Sequence, residues 1–230
     1  AARLIYTTPS RQYPTGATMS VTRRLDVLRA AKRLDAWLIE DDYDSEFRYS
    51  RPPLPSLHSL DENHRVLYVG SMSKVLFPSL RIGYVVLPQR LLDSFEQLRR
   101  TVDDHGPLID QATLAEFMEV GAYYRHIRRC RKRYSERLDA FQCSVEKHRI
   151  PLIFPFTDGG MNQTGRFLDQ SVDDEQISQV LAGLGLRVPS LKSCSLRQRT
   201  SGLIFGFTAF EPAAIRSAVS NMARIIGERV

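Results

Sequence analysis

Two short stretches of the chain gather side chains able to do chemistry. The first is Glu40-Asp41-Asp42-Tyr43-Asp44-Ser45-Glu46, which ends an apolar run. Packing several carboxylates beside an apolar strand costs free energy unless something cationic meets them. The second is Ser71-Met72-Ser73-Lys74, continued by Val75-Leu76-Phe77-Pro78-Ser79-Leu80-Arg81. Hydroxyls, backbone N–H groups and an arginine suit a phosphate dianion. Lys74, flanked by Val75, Leu76 and Phe77, is expected to be partly desolvated, which favours the neutral, nucleophilic amine. A carboxylate, a phenol, an amine and a phosphate clamp at neighbouring strand ends meet the needs of pyridoxal phosphate. That group takes a lysine Schiff base, an acid at its pyridinium nitrogen and a phosphate site. Residue types alone do not choose between Asp41 and Asp42 as that acid.

The elements that must position these loops are short apolar runs bounded by polar, Gly or Pro residues: Leu4–Thr8, Ala36–Glu40, Val66–Gly70 and Gly83–Leu87. Each reads as a buried strand. Between the first two, Val21, Leu25, Leu28 and Ala31 recur at helical spacing behind Ser20, a candidate N-cap. Strand, helix, strand is a crossover unit and implies a parallel α/β sheet, whose functional groups hang off the carboxyl ends of its strands. Helices are predicted at 91–102, 110–120 and 123–141. A distinct end domain is predicted with strands at 165–168 and 203–207 and helices at 172–184 and 212–226.

The chain has 230 residues, 43% hydrophobic and 25% charged. This is ordinary for a globular protein with a real core. No apolar run approaches the ~18 residues of a spanning helix, and the first residues lack the apolar stretch of a signal peptide. The three cysteines, Cys130, Cys143 and Cys194, are dispersed and odd in number. They make no disulfide framework or zinc motif and fit a reducing cytosol. The net charge of +6 favours meeting polyanions. The first residue is not Met, and the chain opens directly on a strand, so a fragment of a longer polypeptide, or a processed chain, is expected.

Four segments resemble one family. Thr8–Gly16 (TPSRQYPTG), Ile39–Tyr49 (IEDDYDSEFRY), Gly70–Tyr84 (GSMSKVLFPSLRIGY) and Tyr124–Tyr134 (YRHIRRCRKRY) are similar, in order, to MocR-type regulators. These are GntR-family transcription factors with an effector domain resembling fold-type-I aminotransferases. The resemblance implies an α/β fold. It would comprise part of a fold-type-I pyridoxal-phosphate-dependent transferase large domain, with a mixed, mostly parallel sheet, plus a small C-terminal α/β domain. It implies pyridoxal 5'-phosphate as cofactor, with Lys74 forming the internal aldimine. Asp41 would pair with the pyridinium nitrogen, Tyr43 with the ring's phenolic oxygen, and Ser71, Ser73 and Arg81 with the phosphate. An effector carboxylate needs an arginine from the small domain; Arg199 is the candidate and Arg197 the second.

Some residues depart from the pattern. Tyr13 stands where aminotransferases usually carry Asn, Arg11 where the subfamily usually has His, and Gly159–Gln163 differs from the usual Gly-Leu-His. The family's effector domain also begins upstream of residue 1.

The boundaries expected are 1–95 for the cofactor-binding part, 96–145 for linking helices and 146–230 for the small domain. The resemblance implies a cytoplasmic homodimer that senses an amine or amino acid, the alternative being a working class I/II aminotransferase. DNA binding would belong to an N-terminal winged-helix domain. The run Arg125, Arg128, Arg129, Arg131, Lys132, Arg133 and Arg137 reads chiefly as a solvated helix linking domains, with an auxiliary role in contacting phosphates as the alternative.

Overall fold

The computed structural model describes residues 2–196 and 200–227. They form two compact units. One comprises the residues up to Gln12, Ala17–Glu46 and Pro52–Arg128; the other comprises Tyr13–Gly16, Phe47–Arg51 and the residues from Arg129 onward. This partition differs from the boundaries at 95 and 145, because residues 108–128 pack with the lysine loop of the first unit.

The first unit is built on four strands, β1 (Leu4–Thr7), β2 (Trp37–Asp42), β3 (Val66–Ser71) and β4 (Gly83–Val86), in the order β1-β2-β3-β4. The first three are parallel and β4 is antiparallel to β3, so the sheet is mixed and mostly parallel. β2 extends two residues beyond the run at 36–40. As a central strand it keeps pairing through Asp42, opposite Gly70, and its acids are strand residues rather than a turn.

Helix α1 (Val21–Arg33) starts at Ser20, whose hydroxyl accepts the Arg23 N–H, and ends with Lys32 and Arg33, cations that complement the helix dipole. Of the expected stripe Leu28 and Ala31 are buried and Leu25 is exposed, and Arg24 is buried beside them. Arg24 is 1% exposed. It can be buried because its guanidinium donates to the carbonyls of Met19, Pro55 and Pro9 and lies 3.8 Å from Glu40. Glu40, fully buried, accepts the N–H groups of Leu57 and His58 at the start of the one-turn helix α2 (Leu57–Leu60). Leu28, Ala31, Leu57, Leu38 and Val66 close a core on this face of the sheet.

Beyond β4 come α3 (Leu92–Val102), α4 (Leu108–Glu119) and the first turns of α5 (Ala122–Lys147). Tyr123 and Ile127 of α5, with Leu114, Phe117 and Met118 of α4, pack on Met72 and Val75.

The second unit holds an antiparallel sheet of β5 (Leu152–Ile153), β6 (Asn162–Phe167) and β7 (Gly202–Gly206). Its core joins Leu138, Phe141 and Val145 of α5 to Phe167, Leu203 and Phe205. Ile177 and Leu181 of α6 (Asp174–Gly183) and Ile215, Val219, Met222 and Ile226 of α7 (Pro212–Gly227) complete it. Arg137 departs from the expected wet face. It is buried and donates to the Thr208 carbonyl and the Glu211 carboxylate. No helix among the described residues is long and apolar enough to cross a membrane.

Candidate functional site

The carboxyl ends of β2 and β3 bring the two reactive stretches side by side. Strand alternation separates the acids of β2. Leu38, Glu40 and Asp42 are buried, whereas Trp37, Ile39 and Asp41 are half-buried. Asp42 is engaged on the helix-covered face, where it accepts from the Tyr68 hydroxyl at 2.7 Å and the Ser45 N–H at 3.2 Å. Asp41 pairs in register with Val69, so it shares a sheet face with Ser71, two residues further along β3. The two adjacent carboxylates thus differ in their protein donors. Asp42 is consumed by protein donors; Asp41 holds a single one, the Tyr6 hydroxyl of β1.

Tyr43 follows with a buried hydroxyl that has no hydrogen-bond partner. Burial and the Asp44 carboxylate push its phenol up, so it is a neutral donor. Asp44 is 3% exposed, with Oδ2 3.5 Å from Nε of Arg11, which is also buried. Burial pushes its carboxyl up to about 7; Arg11 and Lys74 oppose that rise, while Asp42 and Glu46 reinforce it. Arg11, noted in the sequence only as a departure, is thus the cation that meets the buried Asp44.

The β3–β4 connection carries the remaining candidates. Ser73 donates its N–H to the Ser71 hydroxyl at 3.2 Å. The Met72 N–H bonds the Ile82 carbonyl, and the Leu76 N–H bonds the Met72 carbonyl. Met72 and Val75 are buried under α5 and hold the loop, yet Lys74 between them is exposed. The expected desolvation of Lys74 is therefore not found, because its apolar neighbours point into the core while its own side chain faces outward. His126 of α5 donates Nε2–H to the Val75 carbonyl at 2.9 Å, pinning the residue after Lys74. Arg81 adopts a left-handed backbone, φ 52°, as it closes the turn Pro78–Leu80. For an L-residue with a Cβ this costs about 1–2 kcal/mol, and such outliers cluster at ligand clamps.

Arg199 and Arg197 lie outside the described residues. Tyr13 is half-exposed; burial and the thiol of Cys194 push its phenol up. No group of three or more metal-ligating side chains occurs among the described residues. Sequence reasoning missed Tyr6 and the pairing of Asp44 with Arg11; the signal for Tyr6 was its place on the strand paired with β2.

Residues 4–217 match the family model of class I and II aminotransferases. The chain is 36% identical over 222 residues to the probable rhizopine catabolism regulatory protein MocR of Rhizobium meliloti, covering 96% of this chain and 45% of that protein. It is 33% identical over 228 residues to the HTH-type transcriptional regulator TauR of Rhodobacter capsulatus, covering 97% and 46%. The chain thus spans about half the length of these curated relatives, and the resemblance to MocR-type regulators is borne out. Among solved structures, kynurenine aminotransferase of Pyrococcus horikoshii, in complex with PMP, superposes with a TM-score of 0.89 at 27% identity, over 99% of this chain and 57% of that one. The fold is that of the fold-type-I aminotransferases, and the chain belongs to the class I and II aminotransferase family, whose cofactor is pyridoxal phosphate.

Proposed function

We propose that this chain is the pyridoxal-phosphate-binding, aminotransferase-like effector domain of a MocR-type regulator of the GntR family, and that it senses an amine or amino acid. The observation that carries this reading is the set of groups left unengaged at the ends of β2 and β3. Among the described residues these are the partnerless buried hydroxyl of Tyr43, the Oδ1 of Asp41, which accepts no hydrogen bond, and the exposed amine of Lys74. A partnerless buried hydroxyl costs free energy, and a ring oxygen would satisfy it. The donor set fits pyridoxal phosphate.

In this reading Lys74 is the covalent attachment point. Asp41 holds the ring nitrogen, and Tyr43 donates to the ring oxygen. Ser71, Ser73 and Arg81 hold the phosphate, with Arg81 offering a planar fork of donors. When bound, the group supplies an electrophilic aldehyde and an electron-withdrawing ring. The protein's part is to orient both and to keep a negative charge beside the ring nitrogen. Arg199 is proposed for the effector's carboxylate. DNA contact is assigned to a winged-helix domain outside these 230 residues. The assembly is proposed as a cytoplasmic homodimer.

The test is optical and chemical. The protein purified with pyridoxal phosphate should keep a visible absorption band through gel filtration. Borohydride reduction should fix the added mass on Lys74, and Lys74→Ala should lose both. A reducible adduct persisting in that variant overturns the assignment. Panels of amino donors and 2-oxo acids then address the second reading, a working aminotransferase, which the likeness to a solved aminotransferase favours. Sustained turnover would replace sensing with catalysis.

A further inference from the structure

β1 and β2 run parallel with Tyr6 opposite Ile39. In a pleated pair this sends Tyr6 and Asp41 to the same face, two register positions apart. The Tyr6 hydroxyl donates to Asp41 Oδ2 and makes no other hydrogen bond among the described residues; Oδ1 accepts none. One carboxylate oxygen is therefore occupied and the other is free, an asymmetry that fixes the carboxylate plane. We propose that Tyr6 is a positioning residue for the cofactor's ring nitrogen, which holds Asp41 through Oδ2 so that Oδ1 faces the ring and its negative charge is retained. The inference rests on the assignment of Asp41 to that nitrogen.

The chemistry favours a tyrosine here. The hydrogen bond to Asp41, followed by burial, pushes the Tyr6 hydroxyl up to about 12, so the donor keeps its proton at neutral pH. A hydrogen bond donated to a charged acceptor is among the stronger kinds. By stabilising the carboxylate, it favours the pair in which the shared proton sits on the ring nitrogen rather than on the acid. A carboxylate relieved of its donor holds charge less well and draws that proton toward itself.

The experiment loads the protein with pyridoxal phosphate labelled with ¹⁵N in the ring and compares wild type, Tyr6→Phe, Asp41→Asn and the double variant. The ring-nitrogen chemical shift reports protonation directly and is indifferent to whether Tyr6 merely packs on the strand. Wild type should show the protonated value. Tyr6→Phe should move toward the unprotonated value, with the cofactor's dissociation constant rising about tenfold, the size expected from losing one hydrogen bond to a charged group. Asp41→Asn should move further, and adding Tyr6→Phe to it should change nothing more, because the two act as one unit. A Tyr6→Phe shift identical to wild type, with Asp41→Asn displaced, overturns the role of Tyr6 alone. An Asp41→Asn shift identical to wild type overturns the assignment of Asp41 itself and the inference with it.

Discussion

Asp44 shows how one side chain can make the whole chain sensitive to acidity. An unfolded Asp ionises near ~3.9, whereas this buried carboxyl is pushed up to about 7 by desolvation. Between those values the folded chain keeps a proton that the unfolded chain has released. The folded state binds more protons, so stability falls as pH rises through this window and levels off above it. This is the reverse of the usual behaviour of a salt-bridged acid, because the Arg11 pair at 3.5 Å does not offset complete burial. Asp44→Asn should remove the slope. In urea titrations, the stability difference between variant and wild type should grow in the variant's favour from pH 4.5 to pH 8, by an amount on the order of a few kcal/mol. A constant difference across that range would show that Asp44 ionises normally in the fold.

At the scale of elements, much of the architecture was legible in the sequence. The four apolar runs of the first unit became strands β1 to β4 because each is short, apolar and bounded by polar, Gly or Pro residues. Where the reading slipped, a tertiary partner decided. The apolar spacing of α1 pointed to Leu25, but three backbone carbonyls and Glu40 compensate Arg24 and turn that residue inward. β5 has two residues, too few to leave a periodic trace. Asp41 and Tyr6 stand thirty-five residues apart, and only strand pairing joins them. Strand pairing also explains Gly202. A Cβ there would lie 2.4 Å from the Gly165 carbonyl oxygen of β6, a backbone atom that cannot step aside. Gly202→Ala should therefore prise β6 from β7 and cost about 1–3 kcal/mol, read as a lower denaturant midpoint. An unchanged midpoint would mean that the strands have slack.

At the scale of the molecule, two separate cores share one long helix. Tyr123 and Ile127 of α5 belong to the first, and Leu138, Phe141 and Val145 to the second. Leu181, fully buried in the second core, offers a test. Leu181→Ala should cost about 2–5 kcal/mol, and hydrogen exchange should quicken mainly in amides after residue 129; uniform acceleration over both units would show that they open together. The start of α5 also carries His126, whose Nε2–H grips the Val75 carbonyl. That contact is made to the main chain, so it asks for no particular side chain at position 75. A replacement of Val75 would accordingly alter the packing beneath the lysine loop while leaving the carbonyl that His126 holds in place.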